Sequence, residues 1–515
     1  MNKFVNGLKN EFNYTRTENG AVTYKSTLDG LLDLFALGGA YRTRSDADCI
    51  NLFQKAFKED EVHALKCLFY LRDVRGGQGE RRFFRVIIKW LAREHTEAMA
   101  RNLKYVPEFG RWDDLYEFIG TPLEEKAFAF MRRQLELDIQ CKTPSLLAKW
   151  LKSENTSSHQ SRVLGNKTRE FFGMTHRGYR KMLSTLRARI NVLERLMSAG
   201  KWDEIEFDKI PSRAGIIYRN AFARHDVERM REGAAQSYED FAKDKNTKVN
   251  AKALYPYEVV EKAMNFENSW GNYYYNHTKS QDLDNTERLM INKYWENLAD
   301  FFNGCTFNGI CVADTSGSMY GLPMAVAISI AMYCAEHNKG VFANHFFTFS
   351  NDPDFVEIEG VDFVDKVNRI SNADWGGSTN IEAVFDMMLH TAKENHVPQS
   401  DIPKSVIIVS DMEFNACVTS NSRVSDRYGY SRYYSANETL FETIEKRWRV
   451  AGYEMPNLVF WNVEARQNNI PMKVSGHVNY VSGMSPTLFE QILKGVTAFD
   501  LMFDKLDSER YACIH

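Results

Sequence analysis

The sequence has 515 residues, of which 44% are hydrophobic and 26% are charged, a globular composition that excludes a largely disordered chain. Its eight cysteines show no CxxC spacing and its longest apolar-rich run, residues 324–335, is too short to span a bilayer. We therefore expect a soluble, cytoplasmic protein with reduced thiols and no membrane partner. Residues 1–300 carry a net charge of +7 and residues 301–515 a net charge of −10, which is typical of two domains with different partners.

Helical spacing of apolar residues dominates the chain from about residue 45 to residue 230. A first helix is predicted over residues 59–72, with Val62 and Leu65 on its buried side. A pair of glycines ends this helix, and the apolar period resumes at Phe83. The pattern predicts a helical hairpin.

A further helix is predicted where Thr121 is followed three residues later by Glu124, a spacing typical of a capping box. We expect this helix to continue to about Ile139. Successive helices without strands, and without a strict sequence period, predict an all-α helical-repeat region of the HEAT type over residues 1–302.

Beyond about residue 303, short β-branched or aromatic runs alternate with helical ones. The predicted strands cover residues 310–313, 341–349, 355–358, 405–410, 458–463 and 478–482, and the predicted helices cover residues 323–337, 381–390 and a segment from Pro486. This alternation predicts an α/β domain over residues 303–515, with a doubly wound, largely parallel, Rossmann-like sheet.

Oxygen-bearing side chains follow two strands of the predicted sheet. Asp314, Ser316 and Ser318 alternate directly after one strand, and Asp411 directly follows another. Between them, Thr379 follows a small flexible turn that leads into a helix. Ligands bind at the carboxyl ends of parallel strands, and carboxylate and hydroxyl oxygens suit Mg²⁺ or Mn²⁺. The five side chains therefore predict a divalent-cation site.

The same five residues match the motif of the metal-ion-dependent adhesion site, DxSxS followed by a distant Thr and a strand-end Asp, and so resemble von Willebrand factor A domains. The resemblance implies that the cation captures a carboxylate of an acidic protein partner and that the protein is not an enzyme. A metal-dependent hydrolase or nuclease is the alternative, with Glu413 as the nearby acid that would serve as its base.

Two further segments are candidates for recognition. Residues 414–437, after Asp411, are rich in Ser, Tyr and Arg, a composition found both at recognition surfaces and in insertions without a role. Residues 161–195 hold nine Lys or Arg and two Glu, interleaved with aromatic residues, which suits phosphate neutralisation and base stacking. A solvated helix face is the alternative for this second segment. Its candidate RNA-binding side chains are Lys167, Arg169, His176, Arg177, Arg180 and Arg187.

The basic segment resembles Ro (TROVE) proteins. Lys-Thr-Arg at residues 167–169 and Thr-His-Arg at residues 175–177 are similar to the stretch that contacts small structured RNA in that family. Residues 71–84 and 38–42 are similar to early parts of its helical ring, and Ro proteins also end in an adhesion-type A domain. The resemblance implies a divergent, monomeric relative whose helical ring binds small noncoding RNA or single-stranded RNA ends.

Two hypotheses follow. The first is a nonenzymatic RNA-binding protein whose α/β domain docks a protein partner through a cation. The alternative is a metal-dependent protein-interaction scaffold that does not bind RNA. Chelator would leave RNA affinity unchanged under the first hypothesis, because the phosphate contacts and the cation lie on different domains.

Overall fold

The computed structural model describes residues 12–264, 283–349, 353–371, 379–416 and 439–515, together with Lys9 and two strands of two residues each, β7 and β8. Most of the segment at residues 414–437 therefore lies outside the described residues. The chain forms two compact units. The first contains residues 1–64, 254–283 and 298–508, and the second contains residues 65–253, 284–297 and 509–515.

The strands of the described residues are short and, beyond residue 300, lie mostly in one sheet. Their bounds are β1 Tyr14–Arg16, β2 Val22–Tyr24, β3 Gly309–Asp314, β4 His345–Phe349, β5 Asp354–Glu357, β6 Ser405–Ser410, β7 Val424–Ser425, β8 Ser431–Arg432, β9 Asn457–Asn462 and β10 Val478–Ser482.

The α-helices fall into both units. Up to residue 150 they are α1 Gly30–Leu37, α2 Asp46–Glu59, α3 Glu61–Arg72, α4 Arg82–Glu94, α5 Thr96–Asn102, α6 Val106–Phe109, α7 Glu124–Gln140 and α8 Leu147–Trp150. Up to residue 296 they are α9 His159–Phe171, α10 His176–Arg189, α11 Leu193–Ser198, α12 Ser212–Arg224, α13 Asp226–Arg231, α14 Tyr238–Lys243, α15 Pro256–Met264 and α16 Asn285–Glu296. Those that follow are α17 Leu322–His337, α18 Phe363–Ser371, α19 Ile381–Glu394, α20 Leu440–Val450, α21 Phe489–Leu493 and α22 Ala498–Leu506.

Short 3₁₀ helices link several of these elements. They are Gly38–Thr43, Leu103–Tyr105, Trp112–Phe118, Phe207–Lys209, Gly317–Met319, Gln399–Asp401, Pro486–Leu488 and Glu509–Tyr511.

The first unit is built on a mixed sheet with the strand order β10-β9-β6-β3-β4-β5. The strands from β10 to β4 are parallel, and β5 pairs with β4 in antiparallel orientation at the edge. The predicted α/β arrangement is confirmed. Helix α17 is buried from Pro323 to Ala335 because it packs on β3 with one face and on α15 with another. The apolar run in the sequence is therefore a core helix.

The first unit also contains residues that precede the boundary predicted near residue 303. The hairpin β1–β2 and the helices α1 and α2 belong to it, and α1 packs against β10 and α2. Gly39 follows α1, and a Cβ atom there would lie 2.7 Å from the carbonyl oxygen of Ser482, so the close approach requires glycine. The prediction that residues 1–302 are all-helical is wrong at the two three-residue strands β1 and β2.

The second unit is helical, and its core contains a buried ion pair. Arg72, which is 1% exposed, donates through Nε to Asp114 Oδ2 at 2.9 Å. The segment of residues 509–515 packs into this unit because buried Asp73 accepts hydrogen bonds from Arg510 and, at 2.9 Å, from Tyr511 Oη. The presence of a helical region in addition to an α/β unit is thus confirmed.

Three local predictions in the helical region are wrong. Helix α3 begins at Glu61 and leaves Val62 42% exposed, because Val62 lies in the first turn. The predicted capping box at Thr121 is absent from the described contacts, since Glu124 instead accepts from the backbone N–H of Gly120 at 2.7 Å. The apolar stripe of the basic segment predicts one amphipathic helix through residue 197, with Leu183, Leu186, Ile190, Leu193 and Met197 on its buried side. Asn191 has a φ of 47° and instead separates α10 from α11.

The described helices include none that is both long enough and apolar enough to cross a membrane.

Candidate metal centre and basic helical hairpin

The first part of the candidate metal centre lies at the carboxyl end of β3. Asp314 is the last residue of this strand and is fully buried. Its Oδ1 accepts from the backbone N–H of Ser316 at 2.9 Å, and its Oδ2 accepts from Ser410 Oγ at 2.5 Å. The hydroxyls of Ser316 and Ser318 are 3.1 Å apart. The predicted DxSxS oxygens are therefore gathered at one strand end.

Asp411 follows β6, the neighbour of β3 in the sheet. Its Oδ1 accepts from the backbone N–H of Glu413 at 3.1 Å, and Met412 has a φ of 65°, so the chain turns sharply after Asp411. Asp411 Oδ2 is buried and has no hydrogen-bond partner among the described atoms. The Nε of Arg466 lies 3.6 Å from this oxygen, beyond hydrogen-bond distance, so the oxygen keeps a position for a cation or a water molecule.

The electrostatics of the two strand ends are unfavourable without a cation. Burial, together with the negative charge of Asp411, raises the pKa of Asp314 to about 7. Burial is also the main cause of a raised pKa for Asp411. Two neighbouring buried carboxylates disfavour each other's ionised form, and a divalent cation would relieve this repulsion.

The chemistry of the donors fits such a cation. Within the described parts of the chain, no group of three or more His, Cys, Asp or Glu is placed to hold a metal ion. The candidate centre is of a different kind, because it would use two carboxylates with the hydroxyls of Ser316, Ser318 and Thr379. Hard oxygen donors with open positions for water are what Mg²⁺ and Mn²⁺ accept.

Thr379 precedes α19 and is 3% exposed. Its carbonyl oxygen accepts from the backbone N–H of Asn415 at 3.0 Å, which joins it to the loop after β6. Its hydroxyl accepts from Asn19 Nδ2 at 3.2 Å. The structure thus brings Thr379 to the same loop as Asp411, with Asn19 as an additional neighbour.

Several residues around the centre were not predicted from the sequence. Arg466 has its Nε 3.6 Å from Asp411 Oδ2 and donates from Nη2 to the carbonyl oxygen of Ser318 at 3.2 Å. Ser410, Glu18 and Asn19 also contact the centre or its loops. Arg466 lies in the loop after β9, so the rule that such loops line the carboxyl edge of a sheet would have identified it. Residues 17–20 give no signal in the sequence.

The basic hairpin consists of α9 and α10, in the second unit. Lys167 forms an ion pair with Glu124 at 2.5 Å. Arg169 and His176 both contact Glu154 Oε1, at 2.7 and 2.9 Å. The three residues that match the RNA-contacting stretch of Ro proteins therefore lie near the junction of α9 and α10, and each contacts a carboxylate.

The other predicted RNA-binding residues lie on α10 and differ in availability. Arg177 and Arg180 are exposed, and neither forms an ion pair with a described carboxylate. Arg187 is half-buried, and its guanidinium donates to the carbonyl oxygens of Ala148 and Leu151 and to Ser153 Oγ, at 2.8 to 3.0 Å. Because these acceptors use its donors, Arg187 holds α10 against the chain near α8.

Two family descriptions match the chain and meet between residues 303 and 308, a division that differs from the limits of the two compact units. The description "Domain of unknown function (DUF2828)" matches residues 17–171 and 138–303, and "Domain of unknown function (DUF7788)" matches residues 308–510. A crystal structure of the Deinococcus radiodurans RO (RSR) protein is similar over 94% of this chain and 100% of that chain, with 11% identity and a TM-score of 0.40. A TM-score at that level supports no conclusion about this chain.

A relative in sequence is the uncharacterized protein L728 of Acanthamoeba polyphaga mimivirus. It is 30% identical over 523 residues, which cover 93% of this chain and 85% of L728. The first family description spans more than half of the chain. On these two findings, the chain belongs to the family described as domain of unknown function DUF2828.

Proposed function

We propose that the protein is a nonenzymatic, Ro-like RNA-binding protein whose α/β unit holds Mg²⁺ or Mn²⁺ and docks an acidic group of a protein partner. The observation that carries the cation site is the geometry of Asp314 and Asp411. Both carboxylates are buried at adjacent strand ends, hydroxyl groups lie beside them, and Asp411 Oδ2 has no hydrogen-bond donor among the described atoms. A cation there would supply the missing positive charge, and its remaining positions would accept a carboxylate.

Manganese binding to the full chain tests the cation site. Electron paramagnetic resonance of free Mn²⁺ gives the dissociation constant directly. We expect Asp411→Asn to weaken binding at least tenfold, because the ligand loses its negative charge. Asp401→Asn, an exposed acid just before β6, is the matched control and should leave binding unchanged. Equal affinities for the wild type and Asp411→Asn would refute the site.

The arrangement around Glu413 supports a binding role rather than hydrolysis. Glu413 is 1% exposed, its Oε2 accepts from the backbone N–H of Glu18 at 2.6 Å, and its Oε1 accepts from Asn469 Nδ2 at 2.7 Å. A general base needs a lone pair directed at a water molecule or at substrate. Both oxygens of Glu413 are instead occupied by donors from the protein.

The exposed face of α10 supports RNA binding. Arg177, Arg180 and Lys181 are neighbours in sequence near the start of this helix and are all exposed. Lys167, Arg169 and His176 lie close by and would exchange their carboxylate partners for phosphate. Adjacent cations of this kind neutralise phosphates and release counterions, which makes affinity strongly dependent on salt.

Charge reversal tests the RNA proposal. The variant Arg177→Glu, Arg180→Glu, Lys181→Glu should lose the small RNAs that co-purify with the protein and should lower the slope of log affinity against log salt by about 2 to 3. The matched control reverses three exposed cations of α7, Lys126, Arg132 and Arg133. Chelator should change neither result. RNA retained equally by both variants would contradict the proposal.

A protein-interaction scaffold without RNA binding is the second candidate. The observation that favours it is the pairing of Lys167 with Glu124 and of Arg169 and His176 with Glu154, since phosphate would have to displace these carboxylates. Under this alternative, no RNA survives a moderate-salt wash and Asp314→Ala abolishes partner capture. Intact RNA after long incubation with Mn²⁺ would exclude a nuclease.

A further inference from the structure

The turn between β1 and β2, residues 17–20, lies directly on the loop that carries Asp411. Thr17 Oγ1 donates to the carbonyl oxygen of Phe414 at 2.6 Å. Gly20 forms an antiparallel bridge with Asn415, and the backbone N–H of residue 416 donates to the carbonyl oxygen of Asn19 at 3.1 Å. This hairpin turn is therefore joined to the metal-site loop through both backbone and side-chain contacts, although almost 400 residues separate them in sequence.

The side chain of Asn19 extends from the turn toward the predicted ligands. Its Nδ2 donates to the carbonyl oxygen of Glu413 at 2.5 Å and lies 3.2 Å from Thr379 Oγ1. The Thr379 hydroxyl thus accepts from Asn19, which leaves the hydroxyl proton and its second lone pair for other contacts. Asn19 connects the two loops that carry Thr379 and Asp411 and holds them in register.

Glu18 brings a further carboxylate to the same edge. Its Oε2 is 3.2 Å from Arg466 Nη1, and Arg466 Nε is 3.6 Å from Asp411 Oδ2. The same guanidinium donates to the carbonyl oxygen of Ser318. One cationic side chain therefore joins Glu18, Asp411 and the DxSxS loop.

Several carboxyl groups meet at this edge. Those of Glu18, Asp314, Asp411 and Glu413 lie near the Arg466 guanidinium, while the guanidinium of Arg16 donates to the carbonyl oxygen of Gly20 at 2.9 Å. Asp411 Oδ2 lacks a hydrogen-bond donor, and the Glu18 carboxylate is 45% exposed, so it can move without a large loss of packing. A bound divalent cation would attract this nearest mobile acid.

We propose that the β1–β2 turn is an in-cis cap of the cation site and that Glu18 is the acidic group which the bound cation takes from its own chain. The proposal rests on the cation binding proposed above. Glu18 of the β1–β2 turn then occupies the open position of the cation that an acidic group of a partner would otherwise take. An acidic group of a protein partner has to displace Glu18 before it binds.

Two measurements on the full chain, both with Mn²⁺ alone as the probe, test the cap. Glu18→Gln is expected to raise the Mn²⁺ dissociation constant by about fivefold to tenfold, because one carboxylate near the cation loses its charge. Glu464→Gln is the matched control. It removes an acid from the loop that carries Arg466, where Glu464 contacts Thr43, and this substitution should leave the Mn²⁺ dissociation constant unchanged. Hydrogen exchange should show that Mn²⁺ protects residues 14–24 in the wild type and not in Glu18→Gln.

The outcomes distinguish failure of the cap from failure of the cation site. Wild-type protein that binds Mn²⁺, with equal affinity and equal hairpin protection in Glu18→Gln, overturns the cap and leaves the cation site intact. Equal weakening by Glu18→Gln and Glu464→Gln shows a general charge effect and also overturns the cap. Absence of Mn²⁺ binding to the wild type overturns the cation site and the cap together. Protection of residues 14–24 in the wild type is measured without any variant, so a misfolded variant does not decide the question.

Discussion

Asp314→Asn is expected to stabilise the α/β unit when divalent cations are absent. The pKa of Asp314 is raised from 3.8 to about 7 by burial and by the charge of Asp411. The folded state therefore binds a proton that the unfolded chain releases between these two values. The contribution of protonated Asp314 to the free energy of unfolding is fully present below pH 3.8 and is lost as the pH rises through 7.

The size of the effect follows from the difference between the two pKa values. A separation from 3.8 to about 7 corresponds to at most about 4 kcal/mol of destabilisation at pH 8, at roughly 1.4 kcal/mol for each pKa unit. Asparagine is nearly isosteric. Its oxygen can accept from the backbone N–H of Ser316, and its amide can donate to Ser410 Oγ, so the substitution removes the charge and keeps the contacts.

Hydrogen exchange of peptides covering β3 is the assay, because the exchange of this central strand reports opening of the sheet that contains Asp314. With EDTA present, wild type and Asp314→Asn are compared at pH 5.5, 6.5, 7.5 and 8.5, and intrinsic exchange rates cancel at each pH. The variant should become progressively more protected than the wild type as the pH rises. Saturating Mg²⁺ should stabilise the wild type and not the variant. Parallel pH profiles for the two proteins would show that burial does not raise the pKa of Asp314.

Three further predictions concern the rest of the molecule. Asp73→Asn should destabilise the helical unit by about 2 to 3 kcal/mol and expose residues 509–515 to hydrogen exchange, because it weakens the buried contacts that hold Tyr511; unchanged exchange would contradict this. Gly77→Ala should lower the free energy of urea unfolding by at least about 2 kcal/mol, since its Cβ would lie 1.9 Å from the carbonyl oxygen of Tyr70. A urea midpoint equal to that of the wild type would contradict this close approach of Gly77 to Tyr70. A maleimide should modify Cys141 in the native protein, and mass spectrometry should find its buried counterparts modified only in urea; these are Cys49, Cys67, Cys311 and Cys334.

The α/β unit was predictable where apolar runs are continuous. The bounds of β6 agree with the sequence because this strand is buried from Val406 to Ser410, and buried parallel strands read as nearly unbroken apolar segments. The bounds of β10 also agree, although the buried Asn479 interrupts its apolar residues. The positions of Asp314 and Asp411 followed from the same rule, since parallel strands end at one edge. The predicted strand at residues 341–349 is shorter in the structure, because β4 begins at His345 and Val341 is 81% exposed.

Contacts between distant parts of the chain were not predictable. Glu18 and Asn19 reach the loop after β6 through a hairpin turn whose sequence contains no motif, and no local pattern connects residues so far apart. The break at Asn191 had a local signal, since Asn adopts positive φ more readily than most residues, but the apolar stripe continued across it and favoured a single helix.

The first unit is built from separate stretches of the sequence, and this affects the order in which the protein folds during its synthesis. Helix α1 is buried from Gly30 to Leu37, partly against β10, yet β3 is made only after residue 308 and β10 only after residue 477. At roughly 5 to 20 residues per second, α1 waits on the order of 10 to 90 s for the sheet that covers it. During that interval α1 can pack against α2 but not against β10, so the α/β unit should mature only after translation is nearly complete.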